Sequence, residues 1–355
     1  MTSSSSAVQV PAVIAAGDGR AAKDICGQSK VYLEIGGRPL VSLVVSILQR
    51  VPEISEIWVV GNAPRLEKVL TDPSLCAELR VPVTIVPQFR NLYENCWQTY
   101  RRLLPAAGPE GRDPSPEEAE RPVLFLSADL PFATPQEISE FTRRGAALDC
   151  DYAVGLVTEA AMRPFYHTED GAPGIEMAYF NLREGRFRQS NLHLVKPALL
   201  GHRHYVEEMY EHRYQKQIGN IISLAWRIFW SKGGGPRLVY YYAIIHAAAV
   251  ADRRGWLRLA DWLRRWIDLP KVERALGGLL RTRFRFVTTE VGGCAVDIDN
   301  EEDYETAKLR FQEWRRHQEE TAERLHGPLP LAAEASDGNK PEIRVLPGQA
   351  REPLP

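Results

Sequence analysis

Residues 13–20 read Val-Ile-Ala-Ala-Gly-Asp-Gly-Arg, an apolar run that breaks at two glycines and ends in an arginine. The apolar run predicts a buried strand. Glycines directly after a strand let backbone N–H groups approach an anionic ligand closely. Ser29-Lys30 and the turn Gly36-Gly37-Arg38-Pro39-Leu40 follow within the next 20 residues. We therefore predict a loop that binds phosphate groups, with Arg20 and Lys30 supplying the positive charge.

The rest of the chain alternates predicted strands and helices. Apolar, β-branched runs predict buried parallel strands over 12–15, 56–60 and 123–127, and shorter runs predict strands over 83–87 and 152–157. Apolar residues at helical spacing predict a helix over 40–50, and we expect a strand over 287–297 and a helix over 301–316. This alternation predicts an α/β fold with three layers, α/β/α, around a mostly parallel, Rossmann-like sheet.

Composition divides the chain into several parts. The α/β domain is expected over 10–196 and 286–318, with a helical insertion at 197–285 that includes an expected helix over 205–230. The proline-rich segment 105–122 is expected to be a mobile insertion. We expect disordered tails at 1–9 and 327–355, because they are rich in serine or in proline and glycine.

Overall composition is that of a globular protein, with a formal net charge of −2. The five cysteines are scattered without metal-binding spacing, and no secretion signal or apolar run of membrane-spanning length is present, so we expect a cytoplasmic protein. Residues 196–285 carry 17 Lys and Arg against 7 Asp and Glu, which leaves −12 on the remainder. No nucleic-acid partner is expected, because no binding motif accompanies this basic charge.

Five elements in order resemble the MobA-like NTP transferases, a superfamily that includes sugar-1-phosphate nucleotidylyltransferases and alditol-phosphate cytidylyltransferases. The elements are Ala15-Ala16-Gly17-x-Gly19-Arg20, Ser29-Lys30, Gly37-x-Pro39-Leu40, Ala128-Asp129-x-Pro131 and Val296-Asp297-Ile298-Asp299. The resemblance covers roughly 10–195 and 287–316. It implies a GT-A-type sheet and a Mg²⁺-dependent nucleotidyltransferase that uses an NTP and a phosphorylated small-molecule acceptor.

The resemblance also implies roles for single residues. The NTP would be bound by the loop residues Ala15, Ala16, Gly17, Asp18 and Gly19. Arg20 would clamp the β- and γ-phosphates, and Lys30 would offset charge on the α-phosphate in the transition state. Asp129, at the end of a strand, would hold the metal, although such an aspartate often only caps a turn.

The resemblance also implies a second metal carboxylate from the segment in which Asp297 and Asp299 share a face of the expected strand. Counting back from the helix signal at 301–304, we favour Asp299 and keep Asp297 as the alternate. The alternative is that Asp299 or Asn300 caps the last helix. The segment with Gln88, Asn91 and Asn95 resembles the loop that reads the base in these enzymes, and amide side chains can both donate and accept hydrogen bonds to a base. Asn91 could equally be a turn residue.

The resemblance implies that Asn191, and Glu176 in the loop before it, contact the acceptor, and the alternative for Asn191 is a turn before a strand. Two departures from the family pattern stand out. No Ser or Thr separates Gly19 from Arg20, and Ser29 stands where relatives have proline.

Other functions fit parts of the sequence. Residues 17–22 match the dinucleotide-binding pattern GxGxxA, or they form a plain turn. A non-catalytic nucleotide-binding protein is a further alternative. So is a GT-A-type glycosyltransferase with Asp297-x-Asp299 as its metal motif.

The helical insertion interleaves arginine and tryptophan. Arg253, Arg254, Arg258, Arg264 and Arg265 lie among Trp256, Trp262 and Trp266. We favour packing of these aromatic residues onto the catalytic domain, with contact to a membrane surface or a homodimer partner as the alternatives.

Overall fold

The computed structural model describes residues 8–18, 24–201, 235–330 and 341–347. Gly19 and Arg20 lie outside the described residues, as does the helix expected over 205–230. In chain order the strands are β1 (Val10–Ala16), β2 (Asp24–Ile25), β3 (Gln28–Ser29), β4 (Glu34–Ile35), β5 (Arg38–Pro39), β6 (Ile54–Gly61), β7 (Val83–Pro87), β8 (Val123–Ser127), β9 (Tyr152–Thr158), β10 (Phe180–Leu182), β11 (Gly185–Val195), β12 (Phe284–Thr289) and β13 (Ile343–Val345).

The α-helices connect and cover these strands. They are α1 (Leu40–Leu48), α2 (Ala63–Leu70), α3 (Pro73–Cys76), α4 (Leu92–Leu103), α5 (Pro135–Ala147), α6 (Glu159–Met162), α7 (Gly235–Arg253), α8 (Leu257–Arg264), α9 (Leu269–Leu280), α10 (Glu301–Leu309) and α11 (Phe311–His326). No helix within the described ranges is both long and apolar enough to cross a bilayer.

Within the described residues, one sheet contains nine strands in the order β12-β9-β11-β8-β1-β6-β7-β13, with β10 paired to β11. β11 runs antiparallel to β8, β9 and β10, and the other pairs are parallel. From β1 the chain adds β6 and β7 on one side and then crosses to β8 on the other. In open α/β sheets ligands bind at such a reversal of strand order, beyond the carboxyl ends of the strands.

Alternation along β1 builds a core on both faces of the sheet. Ala12, Ile14 and Ala16 pack with residues of α1 and α5. Val13 points to the other face, where it packs with Tyr100 of α4. Because both faces are buried, β1 is apolar along its whole length. The predicted three-layer α/β/α fold with a mostly parallel sheet is confirmed.

The helical block α7 to α9, which lies between β11 and β12 in the chain, packs on the sheet. Ile267, between α8 and α9, contacts Leu156 of β9 and Leu182 of β10, and residues of α7 lie beside it. In α9, Leu280 packs against Val154 of β9. Apolar contacts therefore join this block to the strands.

Register pairing shows which face of the sheet the helical block covers. Val154 lies opposite His193 of β11, and His193 lies opposite Phe125 of β8, so these three residues share a face. Phe125 packs with the residues under α4. This face is therefore covered by α4 at one end and by α7 and α9 at the other, and the helical block belongs to the α/β/α layering.

Several predicted boundaries differ from the structure. The strand expected over 287–297 is β12, which ends at Thr289, because Gly292 and Gly293 then lead into a short 3-10 helix, Gly293–Ala295. The helix expected over 301–316 is two helices, α10 and α11. They are separated at Arg310, whose guanidinium donates hydrogen bonds to the carbonyls of Tyr166 and Pro173.

Two segments expected to be mobile or disordered contain defined structure. In the tail expected to be disordered, β13 pairs in parallel with β7, so Pro and Gly content did not exclude a short edge strand. In the 105–122 segment, Arg112 pairs with Glu118 and donates to the carbonyl of Pro105, and Ala107 packs on the α4 side of the sheet. Side-chain contacts therefore hold this proline-rich segment.

A buried glutamate lies between α5 and the loop after β12. Glu137 is fully buried, and its carboxylate accepts a hydrogen bond of 3.0 Å from the backbone N–H of Cys294. Burial raises the pKa of Glu137 to about 8. The folded protein therefore binds this proton more tightly than the unfolded chain does, and the free energy of unfolding should decrease as pH rises toward 8.

We predict that Glu137→Gln removes this pH dependence. Glutamine keeps an oxygen acceptor for Cys294 but has no proton to lose, so the stability of the wild type relative to the variant should fall by about 1.4 kcal/mol per pH unit between about pH 5 and pH 8. Urea unfolding across this range measures the difference. The control is Glu67→Gln, which changes an exposed glutamate of α2. Parallel pH profiles for wild type and Glu137→Gln would contradict the prediction.

Candidate active site

Three loops leave the sheet at the same edge. Ala15 pairs with Ser127, and Gly61 pairs with both Ala16 and Pro87, so the carboxyl ends of β1, β8, β6 and β7 are level. Residues 17 and 18 follow β1, residue 88 follows β7, and residue 129 follows β8. This edge lies at the reversal of strand order, where a ligand site is expected.

Asp129 and Lys30 form the centre of the site. Asp129 is 1% exposed, and its carboxylate pairs with the ammonium of Lys30 and accepts a hydrogen bond from Ser127. Lys30 begins the 3-10 helix Lys30–Tyr32, and its Nζ also lies 3.2 Å from Oδ1 of Asp299. One ammonium group therefore bridges two of the predicted site carboxylates.

Asp297 completes the group from the extended segment after β12. Val296 and Ile298 are buried, so Asp297 and Asp299 still share a face although no strand forms there. One carboxylate oxygen from each of Asp129, Asp297 and Asp299 lies within 4.8 Å of the other two. The two distant acidic segments therefore meet, as the sequence predicts, although the expected strand ends before Asp297.

Arg188 of β11 was not predicted from the sequence. Its Nη2 lies 3.0 Å from Oδ1 of Asp297, and its Nε donates a 2.7 Å hydrogen bond to the carbonyl of Ala295. The guanidinium of Arg188 therefore holds both the carboxylate of Asp297 and the backbone two residues before it. An arginine on a strand 109 residues away along the chain gives no local sequence signal for this contact.

The charges of the site are strongly coupled. Burial, followed by the nearby carboxylates of Asp129 and Asp299, raises the pKa of Asp297. Burial acts to lower the pKa of Lys30, but the carboxylates outweigh it and the pKa is raised, so Lys30 stays charged. Three carboxylates against the cations Lys30 and Arg188 leave a formal charge of −1 on these five groups.

The donor set fits a divalent cation. Hard cations take carboxylate oxygens, and ligands around one small ion lie roughly 3–4 Å apart, which the separation of up to 4.8 Å reaches with small side-chain movements. Asp299 is available for this role because Asn300 is the residue that caps α10, by accepting from the backbone N–H of Asp303. Asp129, Asp297 and Asp299 are thus the residues that would hold a metal.

The loop after β1 is braced by the predicted amide residues. Oε1 of Gln88 accepts a 3.0 Å hydrogen bond from the backbone N–H of Asp18, and a Cβ built on Gly17 would lie 3.3 Å from Nδ2 of Asn95. The carboxylate of Asp18 pairs at 3.2 Å with Arg65, a contact that the sequence did not predict. The amides of Gln88 and Asn95 therefore lie directly beside Gly17.

The other predicted residues have mixed positions. Oδ1 of Asn91 accepts from the backbone N–H of Glu94 and so caps α4, a role that the sequence did not predict. Asn191 donates a 3.3 Å hydrogen bond to the carbonyl of Cys294. Glu176 is exposed, and no hydrogen bond or ion pair joins it to the carboxylate group within the described part of the chain.

A glycine allows the loop after β12 to approach the loop after β8. A Cβ built on Gly293 would overlap the carbonyl oxygen of Phe132 and lie 2.5 Å from its carbonyl carbon. Phe132 follows Asp129 by three residues, and Gly293 precedes Asp297 by four. This close backbone contact helps to bring the two acidic segments together.

We predict that Gly293→Ala separates these segments. The methyl group forces the loops apart, which should lower the free energy of unfolding by about 1–3 kcal/mol and weaken binding of Mn²⁺ as a probe ion. Thermal unfolding and electron paramagnetic resonance titration measure the two effects. Gly108→Ala is the matched control, since a Cβ there meets nothing within 4 Å; equal behaviour of the two variants would contradict the prediction.

A sheet with its ligand edge at a strand-order reversal, a glycine loop and a carboxylate group define a nucleotide-binding α/β protein. The MobA-like NTP transferase domain model matches residues 12–223. The chain therefore belongs to the MobA-like NTP transferase family and is a nucleotidyltransferase. A comparison with curated proteins gave no significant match.

Solved structures show a similar fold. A hypothetical transferase from Thermus thermophilus superposes with a TM-score of 0.51 at 22% identity, over 83% of this chain and 99% of its own. A 4-diphosphocytidyl-2C-methyl-D-erythritol synthase from Anaerococcus prevotii has a TM-score of 0.42 at 13% identity, over 86% of this chain and 99% of its own. A CMP:2-keto-3-deoxy-manno-octonic acid synthetase with CTP gives 0.44 at 13% identity, with the same coverage.

Proposed function

We propose that this protein transfers the nucleotidyl group of an NTP to the phosphate of a small-molecule acceptor, such as a sugar or alditol phosphate, and releases pyrophosphate with Mg²⁺ as cofactor. The observation that supports this most is the convergence of Lys30, Asp129, Asp297 and Asp299 at the carboxyl edge of the sheet. An acceptor phosphate is already anionic, so positioning and charge compensation suffice and no general base is needed.

The chemical step is an in-line displacement. An oxygen of the acceptor phosphate forms a bond to the α-phosphorus, and the bond from that phosphorus to the oxygen that bridges to the β-phosphate breaks, so pyrophosphate leaves with its electron pair. When bound, Mg²⁺ would supply charge compensation for the phosphate oxygens. Lys30 is kept as an ammonium by its carboxylate neighbours. In the transition state this ammonium group would turn toward the α-phosphate and compensate the negative charge that develops there.

The loop after β1 would bind the triphosphate. In this proposal the backbone from Ala15 to Gly19 approaches the phosphates, and Arg20 clamps the β- and γ-phosphates. Gln88 and Asn95 support this arrangement, because their amides lie beside Gly17 and could contact the base. Asn191 and Glu176 are proposed for the acceptor side, and the hydrogen bond from Asn191 to the carbonyl of Cys294 puts Asn191 beside the segment that carries Asp297.

Pyrophosphate release tests the proposal. Purified protein with Mg²⁺ should release pyrophosphate from one NTP with at least one member of a panel of sugar, alditol and choline phosphates. Asp129→Asn should reduce the rate about 100-fold or more, because it removes a buried charge from the metal site. Asp113→Asn, which alters an exposed carboxylate in the 105–122 segment, is the control.

Binding measurements separate the alternatives. An NTP at 100 times its Kd should add about 2.7 kcal/mol to the stability of the protein in a thermal shift. Nucleotide binding without turnover, unchanged in Asp129→Asn, would favour a non-catalytic nucleotide-binding protein. Sugar transfer from a nucleotide-sugar, without pyrophosphate release, would favour a glycosyltransferase.

A further inference from the structure

The helical block carries an exposed apolar surface, which we call the aromatic face. It consists of Leu259, Trp262 and Trp266, and Trp256 and Leu257 are exposed at the start of the same helix. The three tryptophans are 53%, 53% and 51% exposed, and Leu257 is 63% exposed. Large apolar side chains that are grouped and exposed to solvent are typical of an interaction surface.

Helix geometry explains why these residues are together. Leu259, Trp262 and Trp266 follow one another at spacings of three and four, so they form one stripe along α8 and the turn after it. Ala260 and Ile267 are buried on the opposite side, where Ile267 packs on the sheet. The core contact of this segment is therefore made by its other side, and the aromatic face points away from it.

Arginines border the aromatic face. Arg254, Arg258 and Arg265 are exposed, and within the described ranges none of the three forms an ion pair. Arg258 and Arg265 are seven residues apart and so share one side of the helix, and the guanidinium of Arg254 lies 5.3 Å from the ring centroid of Trp256. Arg264 differs, because it points inward and pairs with Asp252 and Asp261.

The charge distribution favours one orientation toward an anionic surface. Residues 235–280, which contain α7 to α9, have an excess of four positive charges, and the rest of the chain has an excess of six negative charges. An anionic surface would attract the helical block and repel the remainder of the protein. Charge alone therefore selects the part of the molecule that carries the aromatic face.

We propose that the aromatic face binds the surface of a bilayer that contains anionic phospholipids. Tryptophan rings are favoured at the level of the lipid headgroups, Leu259 would enter the acyl boundary, and the arginines would contact lipid phosphates. A second copy of the chain fits less well, because a two-fold contact would bring the unpaired arginines of both copies to one interface. This proposal does not depend on the proposed enzymatic reaction.

Vesicle sedimentation without NTP tests the proposal. The full-length protein should bind vesicles of phosphatidylcholine mixed with phosphatidylglycerol and should bind phosphatidylcholine vesicles far less. Binding should weaken about fivefold for each arginine removed in Arg258→Gln and Arg265→Gln, and should decrease with added salt. The double variant Trp262→Ser, Trp266→Ser should lose binding.

Matched controls alter exposed residues elsewhere. Leu309→Ser removes a side chain that is 73% exposed on α10, and Arg80→Gln removes an exposed arginine near α3; both should leave vesicle binding unchanged. Circular dichroism confirms that each variant is folded. Absence of vesicle binding by the wild type overturns the proposal, and so does binding that survives in the folded double tryptophan variant.

A dimer would be a distinct result. If light scattering shows a wild-type dimer that the tryptophan changes dissociate, and the protein does not sediment with vesicles, the aromatic face is a contact between copies and the proposal is wrong.

Discussion

The repulsion between three carboxylates is the constraint on which the active site depends. Asp129, Asp297 and Asp299 come from segments far apart in the chain, and one of them is buried. They are held together by the ammonium of Lys30 and by the guanidinium of Arg188, which also binds the backbone near Asp297. A cation that binds here relieves the repulsion between the three carboxylates. The free energy spent on bringing these carboxylates together therefore increases the affinity of the site for a cation.

Local sequence patterns predicted β1, β6, β7, β8 and β9 and the position of Asp129, because an apolar run followed by a polar strand end depends on neighbours in the chain. The pattern over 287–297 was misleading. Val296 and Ile298 alternate with Asp297 and Asp299 as in a strand, but Gly292 and Gly293 end the pairing before them. The alternation still predicted the shared face, since an extended backbone has the same two-residue period.

Contacts that span the fold were beyond the sequence. Arg188, Arg65 and Glu137 each act through a partner more than 40 residues away, and no spacing rule identifies such a pair. The role of Gly293 could not be predicted for the same reason. Only glycine fits at this position because a side chain there would overlap the carbonyl of Phe132, which is far away in the sequence. The helical block, which was expected to be an insertion packed on the catalytic domain, covers part of the sheet that the α/β segments leave bare.

The strand β13 has a consequence for how the protein behaves among copies of itself. It covers the outer side of β7, whose backbone groups would otherwise be open to pairing with a strand of another molecule. The edge strand on this side of the sheet is therefore β13, which is three residues long and includes the exposed Arg344. A short, charged border is a poor template for intermolecular sheet growth, so this segment protects the protein against aggregation.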